Sequence, residues 1–270
     1  MIMIVVRLYG GLGNQCFQYA VGRHLAEIHH SELKIDISEF EVYKLHAYSL
    51  CHLNIIENIV SPAEVAGLER VKEKHFHFDP ETFNHPDDVY LHGYWQSEKY
   101  FAGIAEIVHR ELAVKVPLAG KNKEIAEQIS SCSSVSVHVR RADYVPNTYS
   151  EQLFEPCSLD YYMHAGKHIA NVAGKPHFFV FTDDKAWVRE NFKLPYPVTF
   201  VDHNGPEKNY EDMRLMSLCK HNIIANSSFS WWGAWLNQDP EKIVFAPKKW
   251  FTDKARSSPK DIVPETWLRV

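Results

Sequence analysis

Two adjacent arginines, Arg140 and Arg141, follow directly on the run Val135-Ser136-Val137-His138-Val139, and Asp143 stands two residues further on. The run alternates apolar with small or polar residues as a core strand does, so the arginines fall where the strand empties into a loop. Ligands of open α/β sheets collect at the carboxyl ends of strands, and a guanidinium presents a planar fork of donors that matches phosphate oxygens two at a time. His138, Arg140 and Arg141 therefore read as a grip for a diphosphate, against the alternative of two solvated arginines capped by Asp143.

Three other segments carry chemistry of the same kind. Gly10-Gly11-Leu12-Gly13-Asn14-Gln15 links a short apolar run to a helical pattern. Its glycines permit positive φ and close approach of a ligand to the backbone, as at Gly11 and Gly13, and the helix start offers N–H donors. It is not the dinucleotide fingerprint, which would need glycine where Cys16 stands, and no Gly-Lys-Ser/Thr follows to make a Walker loop. Asn226-Ser227-Ser228 sits between the apolar Ile223-Ile224-Ala225 and the aromatic stretch Phe229-Ser230-Trp231-Trp232-Gly233-Ala234-Trp235. Serines in an N-cap region, with the helix's own N–H groups, attract an anion, whereas Trp231 and Trp235 at i,i+4 spacing read as core. Thr182-Asp183-Asp184 ends a further apolar run; either acid could cap the following helix, or accept the two parallel hydrogen bonds that a guanine edge offers.

In that order the four segments resemble the bacterial α-1,2-fucosyltransferases of glycosyltransferase family 11, over nearly the whole chain. The resemblance implies an α/β protein of glycosyltransferase B type, with two Rossmann-like parallel-sheet lobes facing a cleft. It implies inverting transfer of L-fucose from GDP-β-L-fucose to the 2-hydroxyl of a terminal β-galactoside. Arg140 is then the residue on the β-phosphate, with Arg141 assisting or orienting the loop; Asp184 rather than Asp183 reads guanine; Ser227 and Ser228 are phosphate ligands; Asn14 lies near the fucose and phosphate. Asp143 is the carboxylate nearest in sequence to serve as general base, or else a salt-bridge partner of the arginine loop. Asn226 is grouped with the serines. The lack of an Asp-x-Asp motif fits a reaction that needs no metal cofactor. Rival readings are a fucosyltransferase with another acceptor or linkage, and an inactive nucleotide-sugar binding module.

Composition sets outer limits. At 270 residues, with 45% hydrophobic and 23% charged residues, the chain can bury a substantial core. A net charge of −5 argues against nucleic acid or an anionic membrane as a general partner. No run of about 18 apolar residues marks a membrane span, and the amino end lacks a basic start and cleavage site. The expectation is a cytoplasmic enzyme without an integral membrane segment, with peripheral association at the inner membrane's cytoplasmic face left open. The 5 cysteines are odd in number and widely separated, which suits reduced thiols. The pairs His75/His77 and His29/His30 lack the spacing of a metal site.

The elements that must position these residues alternate. Strands are expected at 3–9, 89–93, 135–139, 177–182, 198–201, 222–225 and 243–246, and helices at 14–29, 62–71, 99–112, 121–131, 159–172, 185–192, 210–220 and 229–236. That order predicts an N-terminal lobe over 1–115 on the acceptor side, a GDP-fucose-binding lobe over 122–238, and a segment 239–270 packing back toward the first. Pro117 and Gly120 mark the crossing. The aromatics of Gly93-Tyr94-Trp95-Gln96 and the loop Tyr144 to Tyr149 are candidates for the acceptor mouth.

Overall fold

The computed structural model describes residues 3–141, 153–253 and 258–270. The chain divides into two compact units, Met1–Val116 with Ser257–Pro264, and Pro117–Arg256 with Glu265–Val270. The stretch that closes the chain is thus shared, residues 258–264 going with the first unit and 265–270 with the second.

Unit 1 carries a four-stranded parallel sheet in the order β2-β1-β4-β3, with β1 at Met3–Arg7, β2 at Glu32–Asp36, β3 at Glu69–Lys72 and β4 at Val89–His92. Ile4, Val5 and Val6 are buried without exception. A strand buried on both faces must be covered on both, which is why β1 reads as a continuous apolar run. The helix α1, Leu12–His29, packs along it and starts two residues before the expected Asn14. The helix expected at 62–71 is a correction. Only Pro62–Val65 is helical, opened by a Ser61/Glu64 capping box, and Val71 belongs to β3. Likewise 99–112 breaks into two 3-10 turns before the helix Ala105–Glu111.

Unit 2 carries six parallel strands in the order β10-β9-β8-β5-β6-β7: β5 Ser133–Val139, β6 Pro176–Thr182, β7 Val198–Val201, β8 His221–Ile223, β9 Val244–Ala246 and β10 Leu268–Arg269. Alternate residues of β6 feed two cores. Phe178 and Val180 join Val135, Val137 and residues of the helix Leu159–Ala173, whereas Phe179 and Phe181 join Ile125, Ile129, Leu215 and Met216 from the helices Gly120–Ser130 and Asn209–Leu218. Sheet faces covered this way leave the strand ends as the open surface on which polar residues gather. Trp231 and Trp235 are core residues of the helix Ser228–Trp235, their rings parallel within 9°.

Candidate functional site

In each sheet the strand order reverses at one seam, and the motif residues lie at those seams. In unit 1, β1 leads to β2 on one side while β4 stands beside β3 on the other, so the carboxyl ends of β1 and β4 flank a topological switch point. Tyr9-Gly10-Gly11 leaves β1 there and Gly93-Tyr94-Trp95-Gln96 leaves β4. Gly10 has φ +76°, and a Cβ on it would lie 2.8 Å from Asn14 Nδ2. Gly11 heads α1 with no side-chain cap, which puts Gly13 and Asn14 in its first turn.

Two buried glutamines that the sequence did not single out as functional fasten this turn. Gln15 Nε2 donates to the carbonyls of Gly10 and Ala47, both at 2.9 Å, while its Oε1 accepts from Ser49 N at 2.9 Å. Gln18 Oε1 accepts from Tyr9 N at 3.0 Å and its Nε2 donates to Gly93 O at 3.3 Å. Asn14 Oδ1 accepts from Gln96 Nε2 at 2.8 Å, so the loops leaving β1 and β4 are tied to each other twice. The signal available in the sequence was two amides at i,i+3 in the otherwise apolar stretch Gln15 to Gly22, directly after a glycine turn. Gly10→Ala should destabilise the protein by about 1–2 kcal/mol, because the left-handed conformation costs that much with a Cβ, and should also lower kcat/KM through displaced Asn14. Chemical denaturation and steady-state kinetics check both; an unchanged midpoint would refute the conformational argument.

In unit 2 the chain goes from β5 to β6 and β7 on one side and returns to β8, β9 and β10 on the other, so the switch point lies between β5 and β8. His138, Arg140 and Arg141 come from the end of β5, Asp183 and Asp184 from the adjacent β6, and Asn226, Ser227 and Ser228 from the adjacent β8. The two arginines diverge. Arg141 N donates to Asp183 Oδ1 at 2.8 Å, its Nε lies 3.7 Å from Asp184 Oδ2, and its guanidinium sits 3.5 Å from the centre of the Trp187 ring. The Arg140 guanidinium lies 5.9 Å from the centre of the Phe154 ring.

Asp184 Oδ1 accepts from Trp187 N at 3.1 Å, the N-cap of the helix Lys185–Asn191. The capping role weighed for the acid pair is therefore occupied, leaving Oδ2 as the oxygen directed toward Arg141. Asn226 Nδ2 donates to Glu155 O at 3.0 Å and Trp250 O at 3.1 Å, which makes it a brace between two loops. Ser227 stands at the N-cap of Ser228–Trp235 without capping it, and the first turn holds no acidic residue. An uncapped helix start flanked by hydroxyls keeps its positive end available to an anion. Asp143, and with it the loop Tyr144 to Tyr149, lies outside the described residues.

The His138 imidazole is buried edge-on against Phe229, and its Nδ1 has no hydrogen-bond partner among the described residues. A buried polar atom left so costs about 1–3 kcal/mol until a bound group satisfies it. Burial, and secondarily the Arg140 charge, push its pKa down to about 3 from an ordinary 6.5, so the ring is neutral at neutral pH. Between those values the unfolded chain binds a proton that the folded one does not, so this stability is whole above pH 6.5 and is lost as pH falls toward about 3. Over that window wild type should lose up to about 1.4 kcal/mol per pH unit more than His138→Asn. Urea titrations at several pH values read this directly, and parallel slopes for the two proteins would refute it.

Among the described residues no group of three or more His, Cys, Asp and Glu side chains is placed to hold a metal ion, all five cysteines are free, and no helix is long and apolar enough to cross a membrane.

A model of the family described as Glycosyl transferase family 11 matches residues 2–270. The chain is 34% identical over 293 aligned positions to an alpha-1,2-colitosyltransferase of Escherichia coli, covering 100% of this chain and 99% of the relative. It is 27% identical to the galactoside alpha-(1,2)-fucosyltransferase 2 of Bos taurus over 48% of this chain and 42% of that one. Among solved structures, the fucosyltransferase NodZ from Bradyrhizobium superposes with a TM-score of 0.53 at 14% identity, covering 86% of this chain and 91% of the other. That likeness is one of fold, and the fold is the glycosyltransferase B type.

Proposed function

This chain belongs to glycosyltransferase family 11, and from that premise we propose that it transfers a 6-deoxy-L-hexose, L-fucose in the first instance, from its GDP-activated form to the 2-hydroxyl of a terminal β-galactoside, with inversion. The observation that supports the donor half is the placement of Arg140, His138 and the uncapped start of Ser228–Trp235 at the ends of the adjacent strands β5 and β8, which flank the switch point of the unit 2 sheet. As the bond to the sugar carbon breaks, negative charge grows on the β-phosphate. Arg140 and the helix start supply positive charge where it develops, in a site that needs no reorganisation at that moment. Ser227 and Ser228 donate hydroxyl hydrogen bonds to the same phosphates. Asp184 offers its second oxygen to the guanine edge, with Arg141 and Trp187 forming the wall beside it. Asn14, Gly11 and Gly13 are the residues proposed for the sugar end of the donor. Asp143 is the proposed base for the acceptor hydroxyl. With the cations supplied by the chain, no metal cofactor is required, and excess chelator should leave the rate unchanged. The enzyme acts without nucleic acid partners, in the cytoplasm.

A second donor is favoured by one observation, the full-length match to a colitosyltransferase. Colitose is fucose without its 3-hydroxyl. A site that hydrogen-bonds that hydroxyl would reject the deoxy sugar by roughly 10⁴-fold or more, whereas an apolar site would discriminate by only about 100-fold. Competition between GDP-fucose and GDP-colitose for one β-galactoside acceptor decides it: a higher kcat/KM for GDP-fucose supports the first reading, and the reverse order replaces it with colitosyl transfer.

A further inference from the structure

A cavity of about 340 Å³ opens at the carboxyl ends of β1, β3 and β4, walled by Tyr9, Glu73, Phe76, His92 and Tyr94 among others. Its volume falls in the range of small-ligand clefts, about 300–1,000 Å³, and it sits at the switch point of the unit 1 sheet. The wall is aromatic. The Tyr94 ring lies 4.8 Å from Tyr9 and 5.9 Å from Phe76, nearly parallel to the latter at 14°, while Tyr9 meets His92 edge-on at 5.6 Å.

We propose that this cavity is the subsite for the acceptor's terminal sugar, with Tyr94 as the stacking ring and Glu73 as the residue that positions it. The inference deepens the glycosyl-transfer reading and rests on it. A galactopyranose carries its 4-hydroxyl axially, which leaves the hydrogens of C3, C4 and C5 as an apolar patch on one face. An aromatic ring covers such a patch, and the surrounding polar edges hold the hydroxyls.

The turn that presents Tyr94 is unusual. Trp95, a bulky buried residue, has φ +57°, a conformation that costs about 1–3 kcal/mol and persists only when its surroundings enforce it. Glu73 enforces it: Oε2 accepts from Tyr94 N at 2.7 Å and Oε1 from Trp95 N at 2.9 Å. The fit is close, since a Cβ at Gly93 would lie 2.3 Å from the Glu73 Cβ. Burial raises the Glu73 pKa even though both amide donors pull it down, so the carboxylate is held in the wall at a cost that the two hydrogen bonds offset. Strain fixed by a half-buried carboxylate beside a ring-lined cavity is the arrangement expected of a binding surface.

The binding arm of the test uses no donor, so a wrong donor assignment leaves that arm intact. Saturation-transfer NMR with methyl β-galactoside and methyl β-glucoside is run on wild type, Tyr94→Ala, Tyr94→Phe and Glu73→Gln, with melting temperature and GDP binding as checks of folding. Wild type should bind the galactoside in preference to the glucoside, and Tyr94→Phe should keep that binding. Tyr94→Ala should weaken it about tenfold, the loss of one stacking contact. Glu73→Gln, whose amide retains one acceptor for two N–H groups, should raise acceptor KM with kcat at saturating acceptor close to wild type. Equal galactoside binding by wild type and a folded Tyr94→Ala overturns the subsite. So does a wild-type protein that binds no galactoside, and if that protein still fucosylates one, the functional reading survives the loss of this inference.

Discussion

Arg140→Ala is expected to lower kcat by about 100-fold to 1,000-fold, the usual consequence of removing one preorganised donor from a site of developing negative charge. The loss should fall on kcat more than on GDP affinity, because the diphosphate of the departing GDP gains charge only as the sugar bond breaks. Arg140→Lys keeps the charge and loses the planar fork, so it should recover part of the rate but not all of it. Arg141→Ala provides the contrast. Its guanidinium lies over Trp187 and its backbone amide is held by Asp183, so its removal should act through the shape of the wall beside Asp184 and cost far less in kcat. Steady-state GDP release and calorimetry with GDP separate these effects. Equal kcat losses for the two alanine variants would refute the distinct role given to Arg140.

Gln15→Leu should be the most destabilising single change at the glycine turn. The side chain is fully buried and makes three hydrogen bonds, to Gly10 O, Ala47 O and Ser49 N. Leucine fills a similar volume but leaves three backbone groups without their partner, at about 1–3 kcal/mol for each that is buried. A total near 3 kcal/mol would lower the melting temperature by roughly 6–12 °C in a chain of this size. The Gly10 conformation loses its brace as well, so kcat/KM should fall beyond what the unfolded fraction explains. A melting temperature within about 2 °C of wild type would mean that water or relaxation replaces all three bonds.

What the sequence disclosed follows from where each element sits in its sheet. β1, β5, β6 and β8 are internal strands, buried on both faces, and their apolar runs announced both the strands and the polar residues that follow them. β2, β3 and β10 escaped because they are edge strands that carry charge, whereas the edge strand β7 keeps the largely apolar run Val-Thr-Phe-Val that marked it as a strand. Glu32 and Lys34 of β2 are half-buried and Glu69, Arg70 and Lys72 of β3 are exposed, so Glu-Arg-Val-Lys looked like the end of a helix. The polar residues at the strand ends of unit 2 were legible because strand ends are where charge is conspicuous. The braces were not: Gln15, Gln18 and Asn226 are polar residues whose hydrogen bonds go to distant backbone, and spacing alone gives no sign of such partners. Glu73 between Lys72 and Lys74 had the pattern of a solvated charged face, and only its two bonds to the Tyr94 and Trp95 amides reveal it as part of a wall. Asp184 combines both cases, a residue visible at a strand end whose capping bond to Trp187 only the fold makes explicit.

The most direct test of GDP-sugar-dependent transfer to galactose is incubation of the purified protein with GDP-fucose and lactose in excess EDTA, following GDP release together with the mass and linkage of the product. Fucose linked to the 2-position of galactose, formed at the same rate with and without chelator, is the predicted result. Absence of both GDP release and calorimetric binding of GDP-fucose, in a protein that is folded and tested with and without divalent cations, would contradict it.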